Sequence, residues 1–172
     1  MHQTAEVYPC LLYTSQEDSS LDGMGTTFTV AVVLEDQIVV SHVGDTRAYL
    51  WREGELSQLT TDHSYVQFLV SKGILTPEEA GIHPYRNIIT RALGMEEVIA
   101  DSYTARIAAG DRVLLCSDGL TTHVNDAQIS AVLAKEAVAK QQAEELLALA
   151  MSGGGTDNIS VIVGKIDGKT EG

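Results

Sequence analysis

From Thr26 onward, apolar and β-branched residues dominate three stretches, 26–34, 37–43 and 47–51, separated by the polar pairs Glu35-Asp36 and Gly44-Asp45. That pattern predicts three strands joined by tight turns in an antiparallel meander. The period then lengthens. Ser64 with Gln67 forms a capping box ahead of Val66, Leu69 and Val70, and Thr76-Pro77-Glu78-Glu79 combines an N-cap, a first-turn proline and a glutamate at the third helical position, so two short helices follow. Strand signals return at 101–107 and 111–116, on either side of Ala109-Gly110. Asn125 with Gln128 caps a helix bearing Ile129, Val132 and Leu133, and a longer helix carries Ala143, Leu146, Leu147, Ala150 and Met151 on one face. Gly153-Gly154-Gly155 interrupts the chain before a final buried strand over 158–163. Strands first, helices mostly later and short connections predict an α+β domain of antiparallel strands covered by helices, not a parallel doubly wound sheet.

Residues 1–20 show neither period nor cap and are expected to be a disordered or non-native leader, with the domain over 21–166 and a disordered tail over 167–172. A chain of 172 residues with 44% hydrophobic content can bury one core. Its longest apolar runs are far too short to span a bilayer, and the N-terminus lacks a basic region followed by an apolar stretch, so a soluble, cytoplasmic protein without membrane attachment is expected. Cys10 and Cys116 make no disulfide framework; Cys116, inside an apolar strand, is expected as a buried thiol in a reducing compartment. A net charge of −13, from 24 acidic and 11 basic residues, argues against nucleic-acid partners, whose binding rests on lysine and arginine displacing counterions.

Three aspartates stand at strand ends within two residues of glycine: Asp118 after the run Leu114-Leu115-Cys116-Ser117, Asp157 after Gly154-Gly155-Thr156, and Asp45 in Val43-Gly44-Asp45-Thr46-Arg47. Carboxylates without a Cys/His cluster favour hard cations such as magnesium or manganese over zinc, and paired ions of that kind activate water against a phosphoryl group. Taken singly, each Asp-Gly pair is more often a plain turn, and Asp45 most of all, since Gly-Asp between two strands suits a hairpin. His2, His42, His63, His83 and His123 contain no pair at metal-ligand spacing; loop or cap roles are expected, with His63, after Asp62, as a residue that orients part of a site. Cys116 is not read as a phosphatase nucleophile, because Thr122 occupies the position where a phosphate-cradling arginine would stand. The glycine run lacks the Lys-Ser/Thr and helix of a phosphate loop.

Read in order, Gly23-Met24-Gly25-Thr26-Thr27, Val43-Gly44-Asp45-Thr46-Arg47-Ala48-Tyr49-Leu50, Leu59-Thr60-Thr61-Asp62-His63-Ser64, Arg86-Asn87-Ile88-Ile89-Thr90-Arg91-Ala92-Leu93-Gly94, Gly110-Asp111 with Leu114-Leu115-Cys116-Ser117-Asp118-Gly119-Leu120, and Gly154-Gly155-Thr156-Asp157-Asn158 resemble the metal-dependent protein phosphatases of the PPM family (type-2C serine/threonine phosphatases), in particular the bacterial branch. The resemblance implies a β-sandwich flanked by helices with metals at one end. It implies Asp118 and Asp157 as ligands of paired Mn2+ or Mg2+ ions, Asp45 with Asp118 at a third ion, and a flap over 64–90. It also implies phosphorylated protein substrates and a serine/threonine kinase as counterpart. The family's arginine-bearing first strand and its Asp-Gly metal motif have no match before Gly23. Asp22-Gly23 runs into a strand where that motif leads into a helix, so Asp22 is not assigned as a ligand.

The expected function is therefore a metal-dependent serine/threonine protein phosphatase acting through metal-activated water. The alternative is a non-catalytic fragment or regulatory pseudophosphatase that binds partners, motivated by the unmatched phosphate-binding and metal-binding motifs. A calcium-binding module is disfavoured, because no loop carries the EF-hand spacing of acids. A sandwich without its leading strands is further expected to expose an edge and an apolar face.

Overall fold

In the computed structural model, which describes residues 14, 17–95 and 98–168, the apolar, β-branched stretches do form strands. Phe28–Leu34 (β1) and Gln37–Val43 (β2) turn back on each other through Glu35-Asp36 and join Asp101–Arg106 (β5) in a sheet of order β1-β2-β5. Arg47–Arg52 (β3), Glu55–Gln58 (β4), Arg112–Cys116 (β6) and Val161–Lys165 (β7) form a second sheet of order β4-β3-β6-β7, antiparallel throughout, with Tyr49 opposite Leu114 and Leu114 opposite Val163. The helices are Tyr65–Ser71 (α1), Pro77–Ile82 (α2), Asp118–Thr121 (α3), Asp126–Leu133 (α4) and Ala139–Ser152 (α5). The capping boxes expected at Thr76 and Asn125 are both formed, and Ser64 accepts from the Gln67 N–H at 3.2 Å. Cys10 and most of the expected leader and tail lie outside the described residues. Within the described part of the leader, Ser19–Leu21 makes one 3-10 turn capped by Asp18.

Two expectations are corrected, and one strand is added. β2 and β3 do not form a meander, since they belong to different sheets; Gly44-Asp45 is a crossing between sheets rather than a hairpin turn. The hairpin partner of β3 is instead β4, whose only strongly apolar residue is Leu56. Its turn, Glu53-Gly54, has positive φ at both residues (51° and 95°), the conformation a tight two-residue hairpin needs but usually signalled by Asn or Asp before Gly. The final strand begins at Val161, not at 158; among the described residues it is the edge of its sheet, and its Ile162 is exposed.

By spatial contact the chain divides into two compact units, one of residues 1–30, 41–45 and 61–102, the other of 31–40, 46–60 and 103–172. The second holds the layered core. Ile38 and Val40 of β2 pack with Ala48 and Leu50 of β3 and Val113 of β6, with Tyr103, Ala105 and Leu115 against them. The opposite face of the same β3-β6 pair, Tyr49, Leu114 and Cys116, packs under the helices through Leu120, Val124, Ile129, Val132, Leu133, Leu146 and Ala150. Odd and even positions thus serve two cores, and the α+β sandwich with a helical layer is the expected one. Cys116 is a buried thiol outside any disulfide.

On α5 the buried face is Gln142, Leu146 and Ala150, whereas Leu147 and Met151 are exposed, contrary to the expected stripe. The helical period places 142, 146 and 150 in line and turns 147 and 151 a further hundred or so degrees away. Gln142 is tolerated inside because its amide donates to the carbonyls of Leu133 and Lys135, each at 3.0 Å, closing the C-terminal end of α4. Asp111, also buried, is held by Arg52 at 2.7 and 2.9 Å and by the Ala108 N–H at 2.8 Å. The Arg52 hydrogen bond is the main reason its carboxyl lies below the usual carboxylate range.

Among the described residues β1 is the edge of its sheet, and Val30, Val32 and Leu34 stand on the side away from Ala31 with 37, 49 and 45% of their surface exposed. Exposed apolar side chains grouped on one strand promote association. Sedimentation velocity is expected to show self-association of this chain that Val32→Lys reduces; a monodisperse wild-type monomer would contradict it.

Candidate metal-binding site

A strand buried on both faces ends at the site. β6 closes at Cys116, Ser117 follows in an extended conformation, and Asp118 opens the four-residue helix α3, which the fully buried Leu120 anchors in the core. Ser117 occupies the N-cap position but makes no side-chain capping bond. Its hydroxyl instead donates to the Asn158 carbonyl at 3.1 Å and accepts from the Ser160 N–H at 3.0 Å, while its own N–H donates to the Ser160 carbonyl at 3.1 Å. Gly119 makes the closest approach: a Cβ there would stand 2.4 Å from the Asn158 carbonyl oxygen. The turn carrying Asp118 and the loop carrying Asp157 are therefore in backbone contact, and half-buried Asp118 and exposed Asp157 come from adjoining turns.

The Asp157 loop is shaped from its other side by the glycine run. Gly154 and Gly155 adopt positive φ (132° and 54°), and their N–H groups donate to the Met151 and Ala150 carbonyls at 3.2 and 3.1 Å, closing α5. His123 braces the same loop. Its Nε2 accepts from the Thr156 N–H at 3.2 Å and lies 2.9 Å from the Thr156 hydroxyl, so the neutral ring carries its proton on Nδ1. One oxygen of Asp157 accepts from the Asn158 N–H at 2.7 Å.

Asp45 belongs to the other compact unit, directly after Gly44. Gly44 has φ 113°, and a Cβ there would overlap the Thr27 side chain at 2.4 Å. The same glycine is bound by His63, whose own neighbours are Asp101 and His42. His42 is not in a loop, as expected of the histidines, but in β2 and fully buried, its Nδ1 2.8 Å from the Thr29 hydroxyl and its ring 4.8 Å from that of His63. Burial, and next the adjacent His63, push its pKa below the ordinary value. Burial works to raise the Asp101 carboxyl, but His63 and Arg91 together hold it below the usual range.

The donor set consists of carboxylate oxygens presented from turns, which fits a hard divalent cation such as Mn2+ or Mg2+. The contact at Gly119, which any larger residue would break, is the feature that brings the Asp118 turn against the Asp157 loop. Among the described residues no three Asp, Glu, His or Cys side chains stand as a complete metal-holding group. His63 is singled out in the sequence as a residue that orients part of a site, but its pairing with Gly44 is not legible there, and neither are the roles of Ser117 and His123, because each acts through a contact between segments distant in the chain.

Residues 10–151 match the family model for protein phosphatase 2C. The chain belongs to the protein phosphatase 2C family. Its catalogued relatives include the serine/threonine protein phosphatase PstP of Mycobacterium tuberculosis, 45% identical over 87% of this chain and 29% of PstP. The crystal structure of the serine/threonine phosphatase Stp1 of Staphylococcus aureus superimposes with a TM-score of 0.90 at 39% identity, covering 95% of this chain and 65% of that one. A structure of the PstP catalytic domain in complex with two manganese ions matches with a TM-score of 0.84 at 40% identity, over 94% of this chain and 67% of the other. The chain thus spans less than two thirds of the length of PstP and of Stp1. The protein phosphatase 2C match begins at residue 10, inside the segment read from the sequence as a leader.

Proposed function

We propose that this chain supplies metal-binding turns of a cytoplasmic, metal-dependent serine/threonine protein phosphatase that hydrolyses phosphoserine and phosphothreonine in protein substrates, with a serine/threonine kinase as its counterpart. The observation that carries this reading is the contact of the Asp118 turn with the Asp157 loop through Gly119. Asp118 and Asp157 would hold Mn2+ or Mg2+, and Asp45 is a candidate ligand on its own unit. When bound, paired ions of this kind supply an activated water for attack on phosphorus and neutralise the charge that builds on the phosphoryl group.

This chain's own residues contribute rigidity. β6 is covered on both faces, so the Asp118 carboxylate is aimed from a fixed strand end; Ser117 and His123 hold the Asp157 loop against it. Pre-set ligand geometry of this sort lowers the reorganisation needed when charge develops. Cytoplasmic location is supported by the buried, unbridged Cys116, and among the described residues no helix is long and apolar enough to cross a membrane.

A non-catalytic reading of the isolated chain is favoured by one observation, the lack of a complete metal-holding group among the described residues. Phosphate release from a phosphothreonine peptide separates the two. Under the phosphatase reading this chain is expected to release phosphate with manganese and to stop on chelation; no metal-dependent release would overturn that reading, and clear metal-dependent turnover would overturn the non-catalytic one.

A further inference from the structure

We infer that His63 is a positioning residue for Asp45: its imidazole, oriented by Asp101 and Arg91, sets the corner from which the Asp45 carboxylate is presented to a divalent cation. The inference rests on reading Asp45 as a metal-binding carboxylate, and its test separates the two ideas.

The corner needs outside support. Gly44 and Asp45 lie between the end of β2 and the start of β3, strands of different sheets, so no ladder of hydrogen bonds runs across them. His63 supplies the support in both directions. The Gly44 N–H donates to His63 Nδ1 at 3.1 Å, and the His63 N–H donates to the Gly44 carbonyl at 2.7 Å. A reciprocal pair of this kind fixes the rotation of the corner as well as its distance. On the other side Thr27 fills the space where a side chain on Gly44 would lie.

The tautomer follows from the geometry. Because Nδ1 accepts from an N–H, the neutral ring carries its proton on Nε2, and Nε2 lies 3.0 Å from Asp101 Oδ2. Arg91 Nη1 lies 3.3 Å from the same Nε2 and 3.0 Å from Asp101 Oδ1. Two donors do not bond each other, so the chain runs from Arg91 through the carboxylate to the ring. A carboxylate that fixes an imidazole is the arrangement commonly found behind metal ligands; here it acts one step earlier, on the backbone of the residue preceding the carboxylate. The His63 carbonyl accepts from the Thr90 N–H at 2.7 Å, which pins its main chain, and the side chain is 5% exposed. Water therefore has little access to replace a lost acceptor at Nδ1.

Mn2+ binding followed by electron paramagnetic resonance, together with protection of the Gly44 amide from hydrogen exchange, tests this. Asp45→Asn is expected to weaken Mn2+ binding. His63→Phe, which keeps a ring of similar bulk but removes the acceptor, is expected to weaken the same binding by about tenfold or more and to deprotect the Gly44 amide in the absence of metal. His63→Asn, whose Oδ1 can accept from the Gly44 N–H, should restore much of both. If Asp45→Asn weakens binding and His63→Phe leaves it unchanged, the positioning role is overturned while the ligand reading stands. Wild-type binding by Asp45→Asn sinks the ligand reading itself, and the inference with it. Should His63→Phe not fold, Asp101→Asn, which leaves the ring in place but unlocks it, takes over: undiminished Mn2+ binding there overturns the inference.

Discussion

Gly119→Ala is expected to lower the stability of this chain by about 3 kcal/mol, the upper part of the range for overpacking a closed site, and to lower its melting temperature by roughly 10 °C. The obstacles are what make this severe. The new methyl would meet the Asn158 carbonyl oxygen at 2.4 Å, the Asn158 carbonyl carbon at 3.1 Å and Ile159 Cγ1 at 3.2 Å. Two of the three are backbone atoms of a loop already tied to Ser117, so movement of the Ile159 side chain alone cannot relieve the overlap. Relief requires the loop carrying Asp157 to move away from the turn carrying Asp118, and Mn2+ binding should weaken in parallel. Gly81→Ala is the matched control: Gly81 lies in helix α2 with open space around it, and alanine there is expected to stabilise by about 0.5 kcal/mol or a little more. Thermal and urea denaturation of both variants measures the difference; equal stabilities would show that the contact between the two turns is looser than described.

Asp118→Asn is expected to reduce Mn2+ affinity by more than about a hundredfold, because loss of a group that only orients a ligand already costs roughly 10–100-fold. The amide keeps the size of the carboxylate but loses its charge, so the fold should persist and circular dichroism should be unchanged. A metal titration monitored by the signal of free Mn2+ provides the measurement. Asp126→Asn, an exposed first-turn acid of α4, controls for net charge, since in a chain of net charge −13 any lost carboxylate weakens cation attraction a little. If Asp118→Asn and Asp126→Asn bind Mn2+ alike, attraction by the whole acidic surface, and not a ligand at Asp118, accounts for the binding.

Strand and helix identity was largely legible because it depends on neighbours in sequence. The apolar, β-branched runs in Phe28–Leu34 and Gln37–Val43 and the capping boxes at Thr76 and Asn125 are local features, and local physics is enough to read them. Strand β4 was missed because Glu55-Leu56-Ser57-Gln58 has little strand character of its own and is held by its partner across an uncommon Glu-Gly turn. The position of Gln142 on α5 was missed for a related reason: a polar residue at a buried position is satisfied by the carbonyls of another helix, which its own sequence does not announce.

For the candidate site, residue types at strand ends near glycine named Asp118, Asp157 and Asp45, and the ordered motifs assigned them to a metal-dependent phosphatase. Sequence alone determined which carboxylates to consider, since ligand chemistry is a property of side chains. Only the tertiary structure decided how they are held. The Asp118 turn and the Asp157 loop meet because Gly119 leaves room for a carbonyl and Ser117 bridges to Asn158 and Ser160. Gly44-Asp45, which has the composition of a hairpin, is a crossing between sheets gripped by a histidine from a distant segment. A turn's composition specifies a bend, but the direction of the carboxylate it carries is set by contacts between segments far apart in the chain, and those exist only once the chain has folded.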